Sequence, residues 1–93
     1  MNEDEIIQKL SGLSGWEYRG QALEKIFKFA DFTAAFAFMT AVAPIADKMN
    51  HHPDWSNSYN KVTVRLTSHD AGGVSDRDFA FAQEMERLSR PSD

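Results

Sequence analysis

The chain has 93 residues, enough for one domain built around one modest core. Hydrophobic residues make up 42% and charged residues 26%, ordinary usage for a globular domain that argues against disorder. Ten Lys and Arg face 14 Asp and Glu, a net charge of -4 with no basic run, which counts against a nucleic-acid surface as the main function; with no cysteine, disulfides, thiolate catalysis and Cys-based metal clusters are excluded.

Asn2 with Glu5 three residues later has the form of a capping box, and Ile6, Leu10 and Leu13 follow at helical spacing. A first helix is predicted over about residues 3–10, ending near Gly12. Gly15 and Gly20 bracket Trp16-Glu17-Tyr18, a piece that suits a short strand. Over residues 22–30, Leu23, Phe27 and Phe29 share one parity and Glu24 and Lys28 the other, predicting a second strand. Asp31 is a predicted N-cap for a long helix reaching about Asn50. Its buried stripe is expected to be Phe32, Ala35, Phe36, Met39, Val42, Ala43, Ala46 and Met49. Pro44 lies inside that pattern and is expected to kink or weaken the helix. The opposite side carries Ala34, Ala37, Phe38, Ala41 and Ile45, a second apolar face expected to pair with another copy in a homo-oligomer.

Pro53 ends the long helix, because its predecessor is pushed out of helical geometry. From Lys61 to Thr67 the chain alternates, with Val62, Val64 and Leu66 inward. Gly72-Gly73 predicts a turn, and Ser75 with Asp78 resembles a second capping box, opening a last helix to about Ser89. Residues Arg90 to Asp93 are expected to fray. The order predicts one α+β unit over 1–93, a small antiparallel sheet of about four strands with helices on one face. The apolar run Thr33–Ala46, 14 residues, is too short for a bilayer span, and Met1 to Glu5 has no signal-peptide character. A cytoplasmic protein without membrane or nucleic-acid partners is expected.

All three histidines, His51, His52 and His69, fall within 19 residues at the ends of two predicted elements. Imidazole titrates near neutrality, so such a set suits general acid/base work; capping or surface roles are the competing account for each one. Asp47 lies four residues before His51, one helical turn earlier, where a carboxylate can hold an imidazole by its ring N–H. An ordinary surface pair is the alternative. The same residues are also compatible with zinc or iron, although adjacent histidines often point apart, which makes joint chelation awkward. Composition and spacing reach a small α+β domain with a histidine acid/base site, and no further.

The run Asp47-Lys48-Met49-Asn50-His51-His52-Pro53-Asp54-Trp55, followed by Tyr59, His69 and Asp78, resembles the signature of the pterin-4a-carbinolamine dehydratases. Gly15-Trp16, Phe27 to Phe32, Phe36 to Met39, Tyr59 to Val62 and Gly73 to Asp78 fit the family in order, so the resemblance covers about residues 12–90. It implies dehydration of 4a-hydroxytetrahydropterin to quinonoid dihydropterin, coupled to a pterin-dependent aromatic amino-acid hydroxylase, with no metal or bound cofactor. By the same resemblance His51 and His69 carry proton transfers, His52 orients the pterin, and Asp47 occupies the acidic position. The segments His51-His52-Pro53 and Ser68-His69-Asp70-Ala71 would line the pterin site. Asp78 reads equally as part of the pattern and as a helix cap, and Trp16 as a pocket wall or as core. Trp55 and Tyr59 are assigned to packing. Ala71 stands where animal members tend to carry cysteine, which removes any thiol role. Family members form dimers and often tetramers, and animal members also serve as a dimerisation cofactor of a transcription factor. A protein-interaction module is therefore the second reading, and a metal-dependent hydrolase the third.

Overall fold

Each helix starts where a side-chain oxygen is at hand for the backbone N–H groups that helical geometry leaves unpaired. In the computed structural model, which describes residues 1–90, α1 (Glu3–Leu10) begins at Asn2. Asn2 Oδ1 accepts from Glu5 N–H at 2.9 Å, and the Glu5 carboxylate accepts from Asn2 N–H at 3.1 Å. Asp31 opens α2 (Phe32–Met49) by accepting from Ala34 N–H at 2.8 Å. This helix runs through Pro44 without a break, because Pro44 and Thr40 are both exposed and the hydrogen bond that proline cannot make is lost on the solvent side. It stops at Asn50, whose backbone is left-handed at φ 50°. A 3-10 turn at His69–Ala71 closes on Gly72 (φ 72°), and α3 (Asp76–Ser89) follows Ser75.

Four antiparallel strands, β1 (Glu17–Arg19), β2 (Ala22–Lys28), β3 (Asp54–Ser58) and β4 (Lys61–Leu66), form one sheet in the order β1-β2-β4-β3. The register sets Leu23 opposite Leu66 and Phe27 opposite Val62 on β2 and β4, and Trp55 opposite Val64 across β3 and β4. These side chains share the face that the helices cover. Glu24, Ile26, Thr63 and Arg65 share the other, where Ile26 stands exposed. The α+β class and the one-sided helical cover are as predicted. β3 was not expected, and the hairpin at Tyr59-Asn60 that joins it to β4 leaves Tyr59 exposed rather than packed. Trp55 does pack, half-buried, against the core.

The predicted faces of α2 hold in part. Ala35, Val42 and Ala46 are buried as expected, with Met39 and Met49 packed beside them. Phe38 and Ile45 join them from the face expected to be outer, whereas Phe32 and Phe36 are 48% and 52% exposed and Ala43 is exposed too. Phe38 packs tilted against Phe27 (centroids 4.8 Å apart) and Phe29 (5.1 Å), so it belongs to the core of the chain and not to an interface. Among the described residues no helix is long and apolar enough to cross a membrane. Arg90 is extended after α3, and the rest of the segment expected to fray lies outside the described residues.

Trp16 is core as well: it is buried and its ring meets Phe27 edge-on at 5.8 Å. Its Nε1–H donates to Glu86 Oε1 at 2.9 Å, and the same oxygen pairs with Lys25 Nζ, which also donates to Ser14 O at 3.0 Å. This clasp ties the end of α3 to β2 and to the loop before β1.

Candidate active site

The C-terminus of α2, the start of β3 and the end of β4 meet at one end of the sheet, and all three histidines sit around the cleft between them. The cleft has a volume of about 460 Å³. Helix α2 brings His51 there through its left-handed cap. Asn50 turns the chain so that His51 N–H still bonds Ala46 O at 3.0 Å while the next residues leave the helix axis. His52 and His69 stand exposed on the walls, and His51, 8% exposed, lies at the inner edge.

Behind His51 is a buried carboxylate. Asp78 Oδ1 lies 2.5 Å from His51 Nε2, and Asp78 itself is 0% exposed. Its other oxygen accepts from Ser68 Oγ–H at 2.8 Å and from Ser75 N–H at 2.9 Å. A carboxylate only accepts, so Nε2 carries the ring proton toward Asp78 and Nδ1 is the nitrogen left for exchange with a ligand. Both oxygens are occupied, and among the described residues no buried side-chain polar atom lacks a partner. Asp78 thus caps α3 and holds His51 with the same group, so the two readings of that residue are joined.

Asp47 does not hold His51. Its Oδ1 lies 3.0 Å from His52 Nε2, on the exposed rim. The expected one-turn pairing requires the helix to continue through His51; the left-handed Asn50 breaks the phase, and His52 returns to Asp47 instead.

Of the residues expected to form the site, His51, His52, His69 and Asp70 line the cleft. Pro53 lies half-buried between His52 and β3 without lining it, and Ala71 is exposed on the 3-10 turn. Ser68 is 1% exposed with its hydroxyl on Asp78, so its side chain cannot touch a ligand in the cleft. Two arginines were not anticipated. Arg65 reaches the cleft from β4, held by Glu24 Oε2 at 3.1 Å and Gly20 O at 2.6 Å, and Arg77 pairs with Asp70 across the 3-10 turn. Alternation alone made Arg65 a solvated outward residue, and the arrival of the His69 turn beside it carries no local signal. Among the described residues no three His, Asp or Glu side chains converge in a way that could hold a metal ion.

An imidazole backed by a buried carboxylate, with two further imidazoles on one small cleft, is equipped to move protons on a bound polar molecule. The relatives of the chain carry the same implication. Residues 1–88 match the family model described as pterin 4 alpha carbinolamine dehydratase. A protein of Sulfurisphaera tokodaii provisionally named pterin-4-alpha-carbinolamine dehydratase is 48% identical over 95% of each chain. One with the same provisional name from Rhizorhabdus wittichii is 47% identical, covering 96% of this chain and 94% of its own. The crystal structure of a transcriptional coactivator/pterin dehydratase from Brucella melitensis superposes with a TM-score of 0.93 at 38% identity, over 97% of this chain and 98% of that one. A pterin dehydratase-like protein identified as a RuBisCO assembly factor in the alpha-carboxysome shares the fold, with a TM-score of 0.72 at 23% identity over 84% and 93%. With the family pattern spanning nearly the whole sequence and its histidines gathered on one cleft, the chain belongs to the pterin-4a-carbinolamine dehydratase family.

Proposed function

We propose that the protein dehydrates 4a-hydroxytetrahydropterin to quinonoid dihydropterin by histidine acid/base catalysis, in the recycling of tetrahydropterin used by an aromatic amino-acid hydroxylase. The observation that carries this is the convergence of His51, His52 and His69 on one cleft, with His51 backed by buried Asp78. Dehydration needs two opposite proton transfers. One imidazolium gives its proton to the C4a hydroxyl as the C–O bond breaks and water leaves; one neutral imidazole takes a proton from a ring nitrogen of the pterin. His51 and His69 carry these two steps, each contributing about 10²–10⁴-fold. Asp78 steadies the His51 ring while it is cationic, and His52, held by Asp47 on the rim, orients the pterin. No metal or cofactor takes part.

Stopped-flow decay of the 4a-carbinolamine with and without protein, in the presence of chelator, tests this reading. Faster decay that chelator leaves untouched is expected. Unchanged decay at micromolar protein, or activity that vanishes with chelator and returns with zinc, refutes it.

The protein acts as a homodimer or homotetramer in this proposal. The supporting observation is the exposed apolar strip of Phe32, Phe36, Ala37 and Ala41 on α2, which a monomer would leave in water. Phe36→Glu is expected to give smaller, folded particles by light scattering; a wild-type protein that is monomeric at tens of micromolar refutes the assembly.

A further inference from the structure

The buried chain behind His51 has a fixed direction. Ser68 Oγ lies 2.8 Å from Asp78 Oδ2 and 2.7 Å from Ser75 Oγ. Its one proton must go to the carboxylate, which can only accept, so Ser68 Oγ receives the proton of Ser75 Oγ–H. The order is therefore Ser75 O–H to Ser68 O–H to Asp78, with Ser75 N–H as a second donor to the same Oδ2. Oδ2 is clamped by two donors from different segments, one just before the 3-10 turn and one at the cap of α3. Clamping one oxygen stops rotation of the carboxylate and aims Oδ1 at His51 Nε2, 2.5 Å away.

We infer that Ser68 is a positioning residue: its hydroxyl, acting through Asp78, holds the proton of His51 on Nε2 and keeps Nδ1 free for the substrate. The link to catalysis rests on the dehydratase reading, whereas the tautomer does not. Ser68 suits this role because it is almost wholly buried and has no access to the cleft, so losing its hydroxyl removes no ligand contact. Near-neighbour hydroxyls that solvate a buried carboxylate in this way do so without the flexibility of water, since both serines are anchored by backbone bonds. Ser68 N–H bonds Gly73 O at 2.9 Å, and Ser75 O accepts from Asp78 N–H at 3.0 Å.

The test is two-dimensional 15N–1H spectroscopy of the imidazole rings without substrate, read at a pH beyond which the ring shifts no longer change on adding base, alongside kcat and KM. In the wild type, His51 is expected to show the two well-separated nitrogen shifts of a single Nε2–H form. In Ser68→Ala those shifts are expected to move toward each other as the preference weakens, with kcat reduced about tenfold and KM within about twofold. Ser68→Thr, which retains the hydroxyl, is expected to restore both. Should Ser68→Ala fail to fold, Ser68→Cys is read the same way, since it keeps the volume with a much weaker donor. Identical His51 nitrogen shifts in wild type and the folded Ala or Cys variant overturn the inference. So does a kcat loss that Thr fails to restore while the His51 shifts remain those of wild type. If the wild type has no dehydratase activity, the imidazole spectra alone decide, and that failure counts against the proposed reaction only.

Discussion

Asp78→Asn separates the two duties of one carboxylate. The change keeps the volume of a side chain that has no exposed surface, so the core around Phe79 and Phe81 is undisturbed. An amide has one accepting oxygen and one donating nitrogen, and two donors, Ser68 Oγ–H and Ser75 N–H, already face Oδ2. Setting the NH2 group against them would strand a buried N–H, at about 1–3 kcal/mol. The amide oxygen therefore takes that side, and NH2 faces His51. Nε2 must then accept, and the ring proton moves to Nδ1, the atom that would exchange with substrate. Three hydrogen bonds to a charge, at roughly 1.5–3 kcal/mol each, become neutral ones at about 0.5–1.5. Relief of the buried charge offsets part of that, leaving a net destabilisation of about 1–2 kcal/mol. Activity falls much further, on the order of 10²–10⁴ in kcat, because the tautomer is wrong while the fold is right. Urea unfolding gives the first number and stopped-flow dehydration the second. A folded Asp78→Asn protein with kcat within about threefold of wild type would refute the role of the Asp78–His51 pair.

Three further outcomes follow from the geometry. Glu86→Ala strips the partner from Lys25, 17% exposed, and from the Trp16 indole, and is expected to cost about 2–4 kcal/mol in urea unfolding; Lys25→Met in the same background should recover part of it. His69→Ala is expected to lower kcat on the order of 10²–10⁴-fold, whereas His52→Ala, on the rim, should mainly raise KM; stopped-flow saturation curves distinguish the two. Asp47→Asn touches only the exposed pair with His52, so thermal unfolding should not move and the ring nitrogen shifts of His51 should match wild type.

How far the sequence could be read depended on whether a feature was local. Both ends of α2 were legible: Asp31 caps its first turn, and Pro53 bars helix beyond the left-handed Asn50 at which it stops. The buried side of α2 was legible only in part: Ala35, Val42 and Ala46 are buried as read, but Phe32, Phe36 and Phe38 make the helix apolar all round, and which of them turns inward depends on where Phe27 and Phe29 lie on the sheet. β3 escaped notice because Asp-Trp-Ser-Asn-Ser has one apolar residue and is held as an edge strand by backbone pairing to β4. The histidine set was visible from residue type and from the family pattern. Its partners were exchanged, since the spacing of Asp47 and His51 assumed a helix that Asn50 ends, while Asp78 reaches His51 from 27 residues away.

The capping carboxylate of α3 also has a bearing on how the molecule opens. Helix ends ordinarily fray first and exchange their amides fastest, independently of what lies beyond them. Here the first turn of α3 cannot loosen without releasing Asp78 from His51 and Ser68, and so from the last turn of α2 and the segment after β4. Three stretches far apart in the chain become one cooperative unit with a shared opening free energy, and amide protection at Asp78 reports on His51 as directly as on its own helix.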